Sequence, residues 1–321
     1  MKKKILLIGD IILDEYINGN YTRIASETGV PLFSIINTKF MIGGAGNVAA
    51  NISAADIDIS LVSVLGNDKY SKQCIELLKH HSVDLSMSVE ASNWKVSKKT
   101  RYMVNEKQVF RCDSEGRNTL SPEIETLIIK NVLNRIKEFE LLVIVDYCQG
   151  LLTTHLSQEV INIAKGYHKK IIIDTKAPYL CHFSESYLIK TNSAELGTVL
   201  GMTCSTLDGI TLAARKVIKT CNCKYVLTTW GEKGMVLTSN SSVEHISSNE
   251  ESPVISVVGA GDTVTAYYSI GMLNNLTPKQ CLLLSEKAAR IAITLPKTTA
   301  VPFSAAENYL QILKQANKSE I

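Results

Sequence analysis

Short, continuous apolar runs alternate with stretches of helical periodicity along most of the chain. The runs at 4–10 (KILLIGD), 59–66, 141–147, 170–175, 186–192 and 224–231 read as strands. Helical patterns lie between them at 44–54, 70–80, 122–138, 155–166, 193–201 and 206–220. Strands that are apolar throughout are buried on both faces, and intervening helices make such a sheet parallel. The pattern predicts an α/β fold: a doubly wound, mainly parallel sheet with helices on both faces. Several runs end on a polar residue: Asp10, Asp146, Asp174 or Asn192. Ligands of open sheets bind beyond the carboxyl ends of the strands, so these residues mark the expected site.

Two stretches break the rhythm. Residues 14–40 and 94–113 carry strand patterns with no helix between them, and Asn105-Glu106-Lys107 reads as a hairpin turn. They predict a small antiparallel β lid over the ligand edge, leaving 1–13, 41–93 and 114–321 as the core. Exposed lid strands have edges to hide, which predicts a homodimer paired through the lid.

Composition narrows the function. A chain of 321 residues, 45% hydrophobic, suits one large soluble domain with a small appendage. A net charge of only +3 gives no reason to expect nucleic acid or a membrane surface as partner. The basic start and "ILLIGD" are too short for an export signal or a span. The eight cysteines are scattered. Only Cys221 and Cys223 are close, without the second ligand pair that zinc requires. Free thiols in the cytoplasm are expected. The tail "KQANKSEI" is expected to fray.

The stretch "VVGAGDTVTAYY" (257–268) carries the first chemical candidate. The preceding "SPVISVV" reads as a strand and the following residues as a helix. Amides at Gly259, Ala260 and Gly261 would then form an anion site at a helix start. Asp262 could take a hydroxyl proton beside a transferring phosphoryl group. The alternative is that Asp262 only caps the helix. In "GGAGNVAAN" (43–51), Gly43, Gly44 and Asn47 suit a polyhydroxyl ligand, or else close helix packing. The third glycine of a dinucleotide fingerprint is missing, and there is no Walker A sequence.

With these motifs together, the chain resembles the ribokinase-like (PfkB) sugar kinase family. Gly43-Gly44-x-x-Asn47 matches its amino-terminal signature and Gly259-Ala260-Gly261-Asp262 its carboxyl-terminal one. Gly9-x-x-x-x-Asp14 matches the sugar-holding start. Asn192-x-x-Glu195 resembles the N-x-x-E element, and Thr229-x-Gly231-x-x-Gly234 the nucleotide-binding turn. The resemblance implies the ribokinase-like fold, ATP as donor, and Mg²⁺ held by Asn192 and Glu195 largely through water. It implies Asp262 as base and Asp14, Gly44 and Asn47 on sugar hydroxyls.

A narrower resemblance is to D-glycero-β-D-manno-heptose-7-phosphate kinases. It rests on "GDIILDEYINGNYTRIASETGVP", which includes Arg23, and on "KTRYMVNEKQVFRCD", with Arg101, Gln108, Arg111 and Asp113. "DYCQG", with Asp146, and "IDTKA", with Asp174 and Lys176, extend it. Gln149 replaces a lysine of that subgroup. The resemblance implies a sugar phosphate as substrate, a 1,7-bisphosphate product and a role in surface-polysaccharide synthesis. Such kinases are often fused to a nucleotidyltransferase, and that second activity is expected to be absent here. Independently, residues 95–111 carry Lys95, Lys98, Lys99, Arg101, Lys107 and Arg111 against Glu106 alone. Arg23, Arg101 and Lys99 are the first candidates for a substrate phosphate. A merely solvated hairpin face is the alternative.

The chain also departs from the family. Ser256 and Val258 stand where an acid and a threonine are usual, and Thr294 and Lys297 where the heptose kinases carry glycines. In related kinases these loops border a monovalent cation. A monovalent cation is therefore in doubt, and the Lys297 ammonium is a candidate stand-in. A sugar kinase for another substrate, or a silent sugar- or nucleotide-binding regulator on the same fold, stays open.

Overall fold

Apolar strands of five or six residues form the middle of the molecule because their side chains alternate into two layers. In a computed structural model describing residues 3–116, 118–248 and 253–318, Ile5 and Leu7 of the first strand enter one apolar core. Leu6 and Ile8 enter the other, on the opposite face.

In chain order the amino-terminal elements are β1 (Lys4–Gly9), β2 (Ile11–Ile24), β3 (Pro31–Gly44), α1 (Ala45–Ala54), β4 (Asp58–Val62), β5 (Val64–Leu65), α2 (Lys69–His80), β6 (Val89–Glu90), β7 (Ser97–Val104) and β8 (Lys107–Ser114). Next come α3 (Pro122–Arg135), β9 (Leu141–Asp146), α4 (Thr154–Gly166), β10 (Lys170–Thr175), β11 (Leu188–Asn192), α5 (Ser193–Leu200), α6 (Leu207–Cys221) and β12 (Tyr225–Thr229). The chain continues through β13 (Met235–Thr238), β14 (Val243–Ile246), α7 (Ala260–Leu273), α8 (Pro278–Ile293) and α9 (Phe303–Lys318).

Among the described residues the main sheet has the order β14-β13-β12-β11-β10-β9-β1-β4. Its pairs from β4 through β12 are parallel, so their carboxyl ends share one edge. The hairpin β13–β14 extends it antiparallel. Four of the expected strands are shorter than their apolar runs, and 59–66 is divided between β4 and β5.

The reading of "SPVISVV" as a strand is overturned. Residues 253–258 form no strand. Val254, Ile255 and Val257 are exposed, and the amides of Ile255 and Ser256 bond the Ile293 carbonyl at the end of α8. Strand propensity yields here to a tertiary partner that is a helix end. The expected anion site therefore starts from a loop.

A second sheet, β3-β2-β7-β8, stands on this edge. Its two hairpins are antiparallel, and β2 and β7 join them by parallel pairing. The β7–β8 turn is Asn105-Glu106, both at positive φ, which is the twist that a two-residue hairpin needs. Tyr21, Phe33, Tyr102 and Phe110 form an aromatic row across this sheet, with centroids 5.4–6.0 Å apart, the first two contacts edge-to-face and the third tilted. No described helix is long and apolar enough to cross a membrane.

Candidate active site

The helix α7 starts without a side-chain cap. Gly259 takes φ of 85°, a left-handed conformation open to glycine, and turns the loop into the helix. A Cβ on Gly259 would lie 2.7 Å from Asn47 Nδ2, so this turn is seated against α1. The amides of Gly259, Gly261 and Asp262 find no acceptor among the described residues, and Ala260 has only a long bond to the Val257 carbonyl at 3.4 Å. These are the orphan donors that make a helix start an anion site.

Asp262 does not cap. Its carboxylate turns inward, only 4% exposed. Oδ2 accepts from Asn47 Nδ2 at 2.9 Å, and Oδ1 from the Tyr147 hydroxyl at 2.5 Å. Burial raises its pKa to about 6, against the lowering by those two bonds. A base poised near neutrality is what proton abstraction at physiological pH requires.

Beneath the turn lies a lysine that sequence reasoning missed. Lys190 near the end of β11 is buried, and its Nζ bonds both oxygens of Asp174, at 2.9 and 3.0 Å. A Cβ on Gly261 would approach that Nζ to 3.0 Å. The ammonium thus sits directly under the glycine turn. Asp174 also accepts from Thr265 Oγ1 of α7 at 2.5 Å, which ties the helix to the sheet.

A cavity of about 570 Å³ opens beside these amides. Thr229, Gly231 and Gly234 line one side, and Ala260, Gly261 and Val264 another. Gly234 has φ of 90°, and a Cβ there would come within 1.9 Å of the Ile246 carbonyl oxygen. The glycine lets the β12–β13 turn fold flat at the cavity's rim. Arg290 and Glu286 of α8 form an ion pair in the opposite wall.

Asn192 and Glu195 form a capping box on α5. The Glu195 amide donates to Asn192 Oδ1 at 2.8 Å, and the Asn192 amide to Glu195 Oε2 at 3.0 Å. Glu195 keeps Oε1 without a partner among the described residues. This oxygen-only pair fits a hydrated Mg²⁺, which takes few protein ligands. No cluster of three His, Cys, Asp or Glu able to hold a metal occurs among the described residues.

On the side of the second sheet, Asp14 is buried, and each of its carboxylate oxygens accepts one side-chain bond. Arg101 Nη1 donates to Oδ1 at 2.5 Å and Thr298 Oγ1 to Oδ2 at 2.8 Å. Gly43 lets this carboxylate close in, since a Cβ would meet Asp14 Oδ2 at 2.7 Å. Gly44 turns into α1 at φ of 59°. Arg101 thus pairs with Asp14 through Nη1, whereas Lys99 and Lys176 have no carboxylate partner among the described residues. Their ammoniums lie 5.6 and 4.2 Å from the centre of the Tyr147 ring. Burial and Lys176 together hold the Lys99 pKa below the ordinary lysine value. Lys297, at φ of 65°, sends its ammonium over the Tyr16 ring at 5.6 Å. The Tyr16 hydroxyl bonds Thr298, the residue that holds Asp14, so Lys297 lies on the Asp14 side of the site.

Arg111 grips Asp113 through both oxygens on the exposed strand β8, and Arg23 and Gln108 are exposed. Asp146 is buried and accepts from the Cys148 amide and Thr175.

The family model described as pfkB family carbohydrate kinase matches residues 2–305. The Bifunctional protein HldE of Hydrogenovibrio crunogenus is 30% identical over 306 residues, 94% of this chain and 61% of that protein. That of Aliarcobacter butzleri is 29% identical over 293 residues, 91% of this chain and 61% of the relative. The chain thus spans about three-fifths of these curated relatives. The fold is shared with Arabidopsis thaliana ribokinase complexed with ribose and ATP, at a TM-score of 0.78, 20% identity and coverage of 97% and 99% of the two chains. It is shared too with Escherichia coli phosphofructokinase-2 in complex with potassium, at 0.81, 18% identity and coverage of 98% and 99%. With the family model matched over nearly its whole length, this chain belongs to the pfkB family of carbohydrate kinases.

Proposed function

We propose that the chain phosphorylates a sugar that already carries a phosphate, D-glycero-β-D-manno-heptose 7-phosphate, using ATP and yielding the 1,7-bisphosphate. One observation carries the chemistry: a buried carboxylate at the foot of unpaired helix amides, between a cavity and a cluster of uncompensated cations. Similarity to the HldE proteins supports the heptose.

In this reading ATP occupies the cavity from Gly231 and Gly234 to Gly261, with its γ-phosphate on the amides of 259–262. The sugar's anomeric oxygen bonds to the γ-phosphorus as the bond to the β-phosphate oxygen breaks, and ADP leaves. Asp262 accepts the hydroxyl proton. The amides and the Lys190 ammonium stabilise the charge on the transferring oxygens. Asp14, Gly43, Gly44 and Asn47 hold sugar hydroxyls, with Asp146 beneath them. Lys99, Arg101, Arg111, Arg23 and Gln108 of the lid, 14–40 and 94–113, meet the substrate phosphate. Asp174 and Lys176 act on the nucleotide side, Asp174 by holding Lys190. Asn192 and Glu195 would hold Mg²⁺ through water, and the ion supplies charge neutralisation between the ATP phosphates.

The test is ADP release over a panel of neutral sugars and sugar phosphates. Heptose 7-phosphate is expected to give the highest kcat/KM. A neutral sugar or a hexose phosphate that outpaces it refutes the substrate assignment, and no ADP release with any sugar refutes the kinase.

The same reading pairs two lids into a dimer. Tyr21, Ile24, Ile35, Ile36 and Phe110 are exposed on this sheet, an apolar face that a second copy would cover. Sedimentation should give twice the chain mass, and Phe110→Asp should return the monomer. A wild-type monomer at micromolar concentration contradicts the dimer.

A further inference from the structure

We propose that Tyr147 is a latch on the base: in the empty enzyme its hydroxyl holds the Asp262 oxygen that an acceptor must reach, which restrains transfer to water until a sugar displaces it. The inference rests on the reading of Asp262 as base.

The residue is placed by the turn after β9. The amides of Tyr147 and Gln149 both donate to Asp10 Oδ2, at 3.0 and 3.1 Å. Gln149 Nε2 returns a bond to the Tyr147 carbonyl at 2.9 Å. Asp10 is itself buried at the end of β1. With its backbone pinned, the side chain reaches across the site to Asp262 Oδ1 at 2.5 Å. Asn47 serves the other oxygen. Both oxygens of the base are therefore engaged before any ligand enters, and an acceptor hydroxyl has to compete with a phenol for Oδ1.

Lys99 and Lys176 give that competition its selectivity. They hold the ring through cation–π contacts, and neither is neutralised by a carboxylate among the described residues. An anionic sugar draws Lys99 to itself while its hydroxyl approaches Asp262, and Lys176 stays on the nucleotide side. Water offers no such exchange. The other charges facing the pair are Asp174 and Lys190, which bind one another, and Asp14, which Arg101 neutralises.

Without the latch, a water oxygen bonds to the γ-phosphorus, the bond to the β-phosphate breaks, and Asp262 takes the water proton. Phosphate and ADP leave. The Tyr147 bond also favours the ionised form of Asp262, so its removal raises the base's pKa.

The experiment compares the full chain and Tyr147→Phe with MgATP, with and without the sugar phosphate. Sugar-independent ADP release is expected to rise at least about threefold in the variant. The acid limb of kcat/KM for the sugar is expected to move up by about half a pH unit or more. If either quantity stays at its wild-type value, the latch is wrong. An unchanged urea midpoint and ATP dissociation constant certify the fold, and Tyr147→Leu reads the same two quantities should the phenylalanine variant fail to fold. Asp262→Asn separates the two readings. If it silences turnover while Tyr147→Phe changes nothing, the latch alone falls. If it keeps turnover, the base assignment falls and the latch with it.

Discussion

Replacing Lys190 with methionine should cost about 3–5 kcal/mol of folding stability, the expected loss when one partner of a buried ion pair is removed. The pair is a strong case, because both side chains are about 10% exposed and the ammonium meets both oxygens of Asp174. Methionine fills nearly the same space but supplies no cation. Asp174 would keep the Thr265 hydroxyl and nothing to balance its charge. The urea midpoint reads the effect. The double variant Lys190→Met, Asp174→Asn should recover most of the loss, since a neutral pair of similar volume leaves no buried charge. A single variant within about 1 kcal/mol of wild type would mean that the pair is exchanged for water at little cost.

Much of the frame was legible in the apolar runs. KILLIGD, LLVIVDY and KIIIDT have no polar face, and this forces a strand covered on both sides. The helix starts were legible for the same kind of reason. Asn192-x-x-Glu195 is a sequence-level capping signature, and it forms that box. The hairpin at Asn105-Glu106 likewise follows from local turn chemistry.

What stayed hidden depends on distance along the chain. Tyr147 meets Asp262 across 115 residues and Thr298 meets Asp14 across 284, and no spacing rule reaches that far. Lys190 did carry a faint signal, a lysine inside the apolar run SYLIKTN, which must pair or unfold the strand. The apolar, β-branched SPVISVV misled because Val254, Ile255 and Val257 lie exposed in a loop tethered to the end of α8. Lys297 shows the same limit: the sequence offered a cation near one loop, whereas its ammonium faces Tyr16.

The largest effect is expected from Asp262→Asn. The amide keeps the shape of the carboxylate, and it leaves an oxygen for one of the two present donors. Burial already penalises the charge at this position, so the neutral variant should fold at least as well. The lost quantity is the lone pair that takes the proton. General base catalysis by a positioned side chain contributes about 10²–10⁴-fold, and kcat should fall by that factor. The sign of the pH dependence follows from the raised pKa. The wild type should be active above about pH 6, where Asp262 is ionised, and lose activity as the pH falls through it. The variant should lack that limb.

ADP release at saturating sugar phosphate and about pH 8, wild type against Asp262→Asn, tests the assignment of the base most directly. A fall of at least about a hundredfold, with the ATP dissociation constant unchanged, is the predicted result. A variant that retains turnover within about fivefold of wild type would contradict it.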